Sequence, residues 1–316
     1  MTASPNLDLG KLIAVDWGTS RLRARLVDAN GRVLADAESD RGIGAIDGGH
    51  EAIFESTVAG WPSVPAIMAG MIGSRQGWRE AAYVTCPATP VALAAEITRF
   101  TTTRGRPVAI VPGLLLAAPS RDGDVIRGEE TQMIALIDRE PAFTGTAILP
   151  GTHSKWARID RGVIVDFQSF ITGELFELLS QKSFLRHSVA EAAGDLSVAP
   201  DFALGVRRTA KDGLPFLGAL FSVRTRQLLA GVRPEDNLAY LSGLVIGGEI
   251  AAARAMHPLD PGTPVRIIGA RSLARAYHAA LQSLGFETVA LDGDALVLDG
   301  LVHLARGLGF LTARAP

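Results

Sequence analysis

The amino-acid sequence predicts an α/β protein of two domains, for three reasons. The chain has 316 residues, which is enough for two domains of ordinary size. Hydrophobic residues make up 47% of the chain, so its cores can be buried without metals or disulfides. Each half opens with an apolar strand, a loop rich in Gly, Thr and Ser, and two more strands. We therefore expect the order β-β-β-α-β-α-β in residues 11–120 and again in residues 121–316, with a cleft between the halves.

The first half opens with a three-stranded meander. Residues 21–28 alternate Leu and Ala with Arg, which indicates a strand with one solvent-exposed face. Asn30-Gly31, which follows it, is a hairpin turn signal. The elements expected in this half are strands over 11–16, 21–28 and 32–39, a helix over 51–60, a strand over 65–71, a helix over 91–100 and a strand over 108–111.

The second half repeats that order after a helix over 131–138. Thr172 can serve as the N-cap of a helix, and a polar stretch over 187–211 has the character of an insertion. The most apolar stretch, 238–256, carries Glu249, so a buried helix explains it better than a membrane span. The other expected elements are strands over 146–149, 155–159, 163–170, 265–268 and 288–291, and helices over 172–181, 273–284 and 295–307.

Composition limits the cellular compartments and the classes of binding partner that are expected for this chain. The formal net charge is -2 and no cluster of Lys and Arg dominates a segment, so nucleic acid is not an expected partner. The first ten residues lack the basic and apolar regions of a signal peptide, and the lone Cys86 fits a reducing compartment. The expected location is the cytoplasm, away from membranes. The sequence leaves the oligomeric state open, with a homodimer as one option.

The first candidate site is the loop over residues 16–20, called here the first loop. Gly18 permits a tight turn whose successive N–H groups can surround a phosphate, and Thr19 and Ser20 add hydroxyl donors. Asp16 cannot bind phosphate, since both are anions, but it can hold Mg²⁺ through water. A plain hairpin turn is the alternative for this loop taken alone.

The second candidate site is the loop over residues 150–154, called here the second loop, which has the same place and chemistry in the second half. Its expected phosphate contacts are Gly151, Thr152, His153 and Ser154. The alternative for His153 is a structural hydrogen bond. Lys155, directly after the loop, is expected either to contact substrate or to be solvated at the loop edge.

An acidic cluster, Asp124, Glu129 and Glu130, precedes the second loop. Phosphoryl transfer to a hydroxyl needs a carboxylate that takes the proton and orients the nucleophile. Carboxylates at the start of a helix are also explained by the helix dipole alone. The cluster therefore supplies three candidates for a catalytic base without choosing between them.

The loop after strand 65–71 lies where open α/β sheets bind ligands. Arg75 could pair there with a substrate carboxylate through its planar fork, or form a surface salt bridge. The expected substrate contacts are Ser74, Arg75, Gln76, Trp78, Lys155 and Glu174, the last of which could instead cap a helix. Gly269 and Ala270 are small enough to let a flat base lie against the chain, or they form an ordinary strand-to-helix turn.

Two other classes of site are excluded by their motifs. The chain has no Gly-x-x-x-x-Gly-Lys-Ser/Thr sequence, so a P-loop is not expected. It has no His-x-x-x-His or Cys-x-x-Cys pair for a transition metal.

These motifs resemble those of the actin/hexokinase/heat-shock-protein ATPase superfamily. Residues 13–20 resemble its first phosphate motif, residues 150–156 stand where its second phosphate motif belongs, and residues 267–270 look like its adenosine motif. The narrower resemblance is to the 2-dehydro-3-deoxygalactonokinase family. It spans nearly the whole chain and is carried by four blocks, residues 71–78, 127–132, 149–156 and 172–176.

The resemblance implies two RNase H-like domains of the actin-like ATPase type that bind ATP and Mg²⁺. It implies transfer of the γ-phosphate to the 6-hydroxyl of 2-dehydro-3-deoxy-D-galactonate, in D-galactonate breakdown. Glu129 is the first choice for the base, because related sugar kinases have a Gly-Asp pair at this place; the change from Asp to Glu leaves Glu130 and Asp124 open. Arg75 would suit the substrate carboxylate. The alternatives are a kinase for another sugar or amino sugar on the same fold, and a ligand-sensing regulator without catalysis.

Overall fold

The part of the chain that this computed structural model describes comprises residues 9–117, 122–191 and 194–312. Its strands are β1 (Lys11–Trp17), β2 (Leu22–Asp28), β3 (Val33–Ser39), β4 (Ala66–Ala69), β5 (Tyr83–Thr85), β6 (Thr98–Thr101), β7 (Pro107–Ile110), β8 (Gly113–Leu116), β9 (Asp124–Ile126), β10 (Thr144–Leu149), β11 (Ser154–Asp160), β12 (Val163–Phe170), β13 (Val265–Gly269) and β14 (Thr288–Asp292). Its helices are α1 (His50–Thr57), α2 (Pro90–Ala95), α3 (Glu129–Arg139), α4 (Thr172–Glu177), α5 (Pro200–Ala210), α6 (Phe216–Ala230), α7 (Pro234–Met256), α8 (Arg271–Ser283) and α9 (Gly293–Gly307). This alternation of strands and helices confirms the predicted α/β class.

The largest sheet has the strand order β3-β2-β1-β4-β7-β6. β1, β2 and β3 form the predicted antiparallel meander, whereas β1, β4 and β7 run parallel. Asp16, near the end of β1, lies opposite Ala69 at the end of β4. The loops that follow these two strands therefore begin at the same edge of the sheet, which is where open α/β sheets bind ligands.

The second sheet has the strand order β12-β11-β10-β13-β14, in which β10, β13 and β14 run parallel. The two sheets share one arrangement. A meander of three consecutive strands, β1 to β3 or β10 to β12, lies at one side of the sheet. Two strands parallel to the first strand of the meander follow it, β4 and β7 or β13 and β14. Ile148 of β10 lies opposite Ile267 of β13, so the loops after these strands start side by side. A smaller third sheet has the order β5-β8-β9.

The chain forms two compact units, and α3 belongs to the first of them. Among the described residues, the first unit holds those up to Phe143, 160–166 and those from Asp294 on, and the second holds 144–159 and 167–293. The sequence divided the chain at residue 120 instead. The difference arises because α3 and α9 pack together: a Cβ on Gly300 of α9 would overlap the Thr131 backbone of α3, so the two helices touch backbone to backbone.

Each unit has its own apolar core. In the first unit Trp17 of β1 and Phe54 of α1 are fully buried. In the second unit a Cβ on Gly243 of α7 would overlap the Phe202 carbonyl oxygen of α5, so these two helices also meet at their backbones. α5 lies within residues 187–211, the stretch with the character of an insertion, and it supplies a helix to the core of this unit.

Two local predictions are corrected by the pairing of backbone groups. The helix expected over 91–100 ends at Ala95, and Thr98–Thr101 forms β6, which pairs antiparallel with β7 because strand pairing outweighs a weak helical pattern. The N-cap of α4 is Ile171 rather than Thr172. Thr172 is the first residue of the helix and is buried, so its hydroxyl has a different use, described below.

Within the described residues, α7 alone is long and apolar enough to cross a bilayer by length and composition. Of its most apolar window, 61% is buried inside the protein. Leu241 and Leu244 are fully buried, and so, almost completely, is Glu249. This burial is typical of the core helix of a globular unit, which is what the sequence predicted for this stretch.

Candidate active site

The first loop connects β1 to β2 as a tight hairpin. The Gly18 N–H donates to the Arg21 carbonyl oxygen at 2.9 Å, which closes the turn. The side chains of Thr19 and Ser20 are exposed, and Gly18 is partly exposed. The loop therefore presents two hydroxyl groups and backbone to the solvent, as a phosphate loop requires.

A second segment braces this loop from behind. The N–H groups of Ile43 and Gly44 donate to the Gly18 and Thr19 carbonyl oxygens at 3.0 and 2.9 Å. A Cβ on Gly42 would overlap the Thr19 carbonyl oxygen, so glycine is needed for this approach. The sequence does not predict this contact, because residues 42–44 lie more than twenty positions away from the loop and match no motif.

Asp16 lies in a small charged cluster of the first unit. Its carboxylate is about one-third exposed (37%) and lies 4.0 Å from the Arg23 guanidinium, which also contacts Asp294 at 3.0 Å. Burial raises the pKa of Asp16, and Arg23 opposes that shift. Asp294, at the start of α9, adds to the shift by charge repulsion and is a residue that sequence reasoning did not single out.

Gly70 connects the first loop to the start of α3. Its φ of 93° lies in the region that favours glycine, and a Cβ there would lie 2.8 Å from the Trp17 carbonyl oxygen and 3.4 Å from Asp16 Oδ1. The Cα of Gly70 also lies 3.4 Å from the position of a Cβ on Gly128, the residue before α3. These contacts bring the Asp16 carboxylate close to the helical turn that carries Glu129.

The two glutamates at the start of α3 have different environments. Glu130 is fully buried and its Oε2 accepts the Gly128 N–H at 2.6 Å, whereas Glu129 is half-buried. Burial, together with repulsion from Glu129, raises the pKa of Glu130 to about 8. Glu130 is therefore mostly protonated at neutral pH, and a protonated carboxyl group cannot take a second proton. This environment favours Glu129 over Glu130 as a base.

Asp124 lies apart from these two glutamates. It begins β9, while Gly128 and α3 follow the other end of that strand. At roughly 3.3 Å per residue, the strand separates Asp124 from Gly128 by about 10 Å or more. Its Oδ1 accepts the N–H of Val125 at 2.8 Å. The structure does not bring Asp124 together with the other acidic candidates.

The loop after β4 holds the predicted substrate residues in two different settings. Arg75 and Gln76 are exposed, whereas Ser74 is buried. The Arg75 side chain is 84% exposed and its Nε lies 3.3 Å from Glu80 Oε1. The salt bridge that the sequence offered as an alternative is present, and such an exposed pair costs little to open. Arg75 therefore remains available for an anionic ligand.

Trp78 has a packing role. Its ring centroid lies 6.0 Å from that of Phe54 and 5.0 Å from that of Phe100, the latter in an edge-on contact. These contacts attach the end of the loop to the core of the first unit. The ring is thus engaged with two aromatic neighbours, which weakens the expectation that it contacts substrate.

Arg127 supports the same loop and was not singled out from the sequence, although it belongs to one of the four blocks that carry the family resemblance. Its guanidinium carbon lies 4.2 Å from the centroid of the Tyr83 ring, and its Nη2 donates to the Ala81 carbonyl oxygen at 2.8 Å. A Cβ on Gly73 would lie 2.8 Å from its Nη1. Arg127 therefore joins the loop after β4 to the segment that enters α3.

The second loop packs on the first turn of α4. A Cβ on Gly173 would overlap the Gly151 carbonyl oxygen, and the Glu174 N–H donates to the Thr152 carbonyl oxygen at 3.0 Å. His153 Nε2 and Glu174 Oε2 lie 2.7 Å apart, and both side chains are about half exposed. Glu174, predicted as a substrate contact, thus orients His153 at the solvent side of the loop.

The end of the second loop is buried. Ser154 is fully buried and its Oγ donates to Glu249 Oε1 at 2.7 Å, which weakens the prediction that its hydroxyl contacts phosphate. Lys155 is 6% exposed, which contradicts the alternative that it is solvated at the loop edge. Strand β11 begins at Ser154, and its first four residues are all buried, so the exposed part of the loop ends at His153.

A cavity of about 380 Å³ lies beside the second loop, within the second unit. This volume is within the range of small-molecule binding pockets, and most of the wall is apolar. Gly151 of the second loop is part of that wall. The other lining residues come from α4, the segment before α5, α7 and α8, and they are Thr172, Gly173, Phe176, Gly194, Asp195, Leu196, Ser197, Ser242, Val245, Ile246, Ser272, Leu273, Arg275, Ala276 and Tyr277.

The predicted base-binding residues lie next to this cavity rather than in its wall. Gly269 backs the second loop, since a Cβ on it would lie 3.3 Å from the Pro150 carbonyl oxygen, and the exposed Ala270 is the N-cap of α8. The wall uses the following turns of α8, from Ser272 on. Residues 194–197, which the sequence did not single out, line the cavity as well, because a loop without periodicity carries no signal of its own.

The described residues contain no group of three or more His, Cys, Asp or Glu side chains that could hold a metal ion. Mg²⁺ does not require such a group, because it keeps several waters and commonly binds one or two carboxylates plus phosphate oxygens. The partly exposed carboxylate of Asp16, beside the first loop, fits that pattern.

Comparisons with known proteins agree over nearly the whole chain. The sequence model described as 2-keto-3-deoxy-galactonokinase matches residues 16–304. The chain is 37% identical over 303 residues to a probable 2-dehydro-3-deoxygalactonokinase of Rhizobium meliloti, covering 95% of this chain and 98% of that protein. It is 31% identical over 303 residues to the 2-dehydro-3-deoxygalactonokinase of Escherichia coli, covering 94% and 98%.

Solved structures agree on the fold. A Sinorhizobium meliloti protein with the same assignment has a TM-score of 0.86 at 37% identity, covering 94% of this chain and 96% of that chain. Component A of the (R)-2-hydroxyglutaryl-CoA dehydratase of Acidaminococcus fermentans has a TM-score of 0.53 at 11% identity, covering 94% and 98%. The second likeness concerns the fold alone, an α/β fold with mixed sheets.

Proposed function

The chain belongs to the 2-keto-3-deoxy-galactonokinase family, and on that premise we propose that it transfers the γ-phosphoryl group of ATP to the 6-hydroxyl of 2-dehydro-3-deoxy-D-galactonate. The reaction would be a step in the breakdown of D-galactonate. The product would be the 6-phosphate of the same sugar acid, with ADP released.

One observation carries the nucleotide part of the proposal: Gly151 belongs both to the second loop and to the wall of the 380 Å³ cavity. A nucleoside triphosphate has a flat, largely apolar base at one end and phosphates at the other. The cavity would hold the base and ribose, against Phe176 and Leu273 among others. The backbone of Gly151 and Thr152, and the exposed ring of His153, would then meet the phosphates.

The chemical step would use the residues around the Gly70–Gly128 contact. Glu129 would accept the proton of the substrate hydroxyl, as its half-buried position permits. Thr19 and Ser20 of the first loop would bind phosphate oxygens. Asp16 would hold Mg²⁺ through water, and the ion would supply neutralisation of the charge on the transferring phosphoryl group.

Arg75 is the proposed partner of the substrate carboxylate, which distinguishes a sugar acid from a neutral sugar. Its planar guanidinium can bind a carboxylate through two parallel hydrogen bonds. The support for this role is the exposure of Arg75 at the edge of the sheet where β1 and β4 end, and the weakness of its surface pair with Glu80.

Three finer expectations also remain proposals. The domains would be RNase H-like and of duplicated order with an interdomain cleft; the matching strand orders of the two large sheets support this. The cytoplasm is the proposed location, which the single buried thiol of Cys86 suits. A homodimer is the proposed assembly, and neither nucleic acid nor a membrane is a proposed partner.

A substrate panel tests the proposed reaction. The protein would be mixed with ATP and Mg²⁺ and with 2-dehydro-3-deoxy-D-galactonate, D-galactonate, D-galactose or N-acetyl-D-glucosamine, and ADP release would be followed. We expect turnover with the first compound and a phosphomonoester at its C6 in the phosphorus and carbon NMR spectra. D-Galactonate tests whether the carboxylate alone is sufficient, since it has the carboxylate but neither the 2-keto group nor the 3-deoxy carbon.

The outcomes separate the remaining alternatives. Phosphorylation of a neutral hexose or amino sugar, without turnover of the sugar acid, would establish a different sugar kinase on the same fold. Binding of a sugar acid without any ATP turnover would favour the ligand-sensing regulator. The exposed second loop and its adjoining cavity favour the kinase over that regulator, because a sensor of a sugar alone has no use for a nucleotide pocket.

A further inference from the structure

We propose that Glu249 is a positioning residue that locks the second loop to the wall of the nucleotide cavity. The proposal extends the proposed function, because it assumes that this cavity binds the nucleotide. Glu249 lies on α7, matches no motif in the sequence, and is only 4% exposed.

Four side-chain donors converge on this one carboxylate. Ser154 Oγ and Trp156 Nε1 donate to its Oε1 at 2.7 and 2.5 Å, and the Tyr277 hydroxyl donates to its Oε2 at 2.6 Å. The hydroxyl of Thr172 is the fourth donor. All four donors are at least nine-tenths buried. A buried carboxylate is stable only when its oxygens are satisfied in this way, and here they are.

The donors belong to the elements that build the site. Ser154 is the last residue of the second loop, and Trp156 follows it in β11. Thr172 is the first residue of α4, whose next residue, Gly173, packs directly on Gly151. One carboxylate therefore fixes both the end of the phosphate loop and the helix against which that loop rests.

Two of the same donors also face the cavity. Thr172 and Tyr277 are part of its wall, and so are Val245 and Ile246, which lie one turn before Glu249 on α7. The carboxylate is thus the common point of the loop that would hold phosphates and the pocket that would hold the base. A nucleotide needs a fixed distance between those two parts, so precise positioning here should favour ATP binding.

A general contribution to packing predicts a different result from positioning. If Glu249 only stabilised the core, its loss would lower the melting temperature and leave the affinity of the folded protein for ATP unchanged. If it positions the loop, its loss raises the dissociation constant for ATP while the KM for the sugar acid stays the same. The exchange of the loop amides should also increase before any ligand is added.

The experiment compares Glu249→Gln with Tyr277→Phe and a matched control. Glu235→Gln is the control, because it makes the same substitution on the same helix at an exposed position of the first turn. Hydrogen exchange would be measured without ligand in peptides covering residues 150–156 and 172–177. ATP binding would be measured by calorimetry at a temperature where every variant is folded.

We expect Glu249→Gln to increase exchange in both peptides and to raise the dissociation constant for ATP about tenfold or more. Tyr277→Phe removes one donor of four, so it should act in the same direction by a smaller factor, and it also serves if Glu249→Gln fails to fold. Glu235→Gln should match the wild type. The KM for the sugar acid should change less than about twofold in each variant that turns over.

The results distinguish the inference from the function on which it rests. Wild-type exchange in both peptides, in either variant, would overturn the positioning role whether or not ATP binds. Increased exchange with unchanged ATP affinity would also overturn it, because the loop would then not need this anchor for the nucleotide. Absence of ATP binding by the wild-type protein would instead refute the proposed function, and the exchange data would still decide whether Glu249 holds the loop.

Discussion

The Cα of Gly70 lies 3.4 Å from the position that a Cβ would take on Gly128. Gly70 follows β4 and Gly128 precedes α3, so this contact joins two segments that are more than fifty residues apart in the chain. Gly70 also lies against Asp16, which brings the carboxylate of the first loop close to the backbone that enters α3. The roles of these residues can be separated by substitution.

Glu129 and Glu130 should differ sharply as targets of mutation. Glu129→Gln should lower kcat by roughly 10²–10⁴-fold with ATP binding preserved, because the base is lost while the nucleotide site is untouched. Glu130→Gln should leave kcat within about tenfold of the wild type, because the buried group is already largely neutral and an amide oxygen can still accept the Gly128 N–H.

Steady-state kinetics with varied ATP and sugar acid would measure both variants. The assignment of the base would be contradicted if Glu129→Gln retained near-normal turnover while Glu130→Gln was inactive. Calorimetric titration with ATP would show that each variant still binds its nucleotide.

Stability should fall as the pH rises, in a window set by Glu130. Its pKa is raised from an ordinary value of 4.5 to about 8 in the folded protein, so between these values the folded chain binds one more proton than the unfolded chain. The free energy of unfolding therefore decreases as pH rises through that window. Thermal melts from pH 5 to about pH 8 should show this decline, and Glu130→Gln should flatten it.

A decline of the same slope in Glu130→Gln would show that other groups cause it. Glu129→Gln is a useful comparison here. Removing that neighbouring negative charge should lower the pKa of Glu130 in the folded protein, so the decline in stability should end at a lower pH.

Asp16→Asn should impair the metal-dependent step. We expect kcat to fall roughly 100-fold or more and the Mg²⁺ concentration for half-maximal rate to increase, because the amide cannot orient the hydrated ion. The measurement is a Mg²⁺ titration of the initial rate at saturating ATP. Asp40→Asn is the matched control, because the Asp40 side chain is fully exposed and its Oδ1 lies 4.0 Å from Arg21 Nε. If the initial rate depended on Mg²⁺ concentration in the same way in Asp16→Asn and Asp40→Asn, Asp16 would not be a metal-binding residue.

Arg75→Ala should affect the sugar acid and not the nucleotide. We expect the KM for the sugar acid to increase about tenfold to 100-fold, as for the loss of a charge-assisted hydrogen bond, with the KM for ATP unchanged. Arg104→Ala is the control, because Arg104 is also exposed in the first unit and also pairs with a glutamate, Glu55, at 3.7 Å. If both variants behave like the wild type, the substrate carboxylate is bound elsewhere.

Filling the cavity of the second unit should weaken ATP binding. Ala276 lies in its wall, so Ala276→Phe should raise the dissociation constant for ATP by about tenfold or more through steric exclusion. Ala252→Phe, on the exposed side of α7 and outside the cavity wall, is the control for the added ring. Binding would be measured by calorimetry. Normal ATP affinity in the Ala276 variant would show that the nucleotide does not bind in this cavity.

The sequence determined the α/β class, the meander of β1 to β3, most of the strands of the second sheet and the family, which the match over residues 16–304 confirms. These features depend on local alternation of apolar side chains and on short blocks of neighbouring residues, which can be read without a fold. The same holds for the positions of the two loops, because glycine and hydroxyl residues directly after an apolar strand indicate a turn.

Only the tertiary structure decided which side chains those loops present. Ser154 is the last residue of the second loop, yet its hydroxyl is buried and donates to Glu249, ninety-five residues away. The fully buried position of Glu130, the association of α3 with α9, and the supply of cavity wall by residues 194–197 have the same origin. Each depends on contacts between segments distant in the chain, and such packing outweighs the local pattern from which a sequence is read.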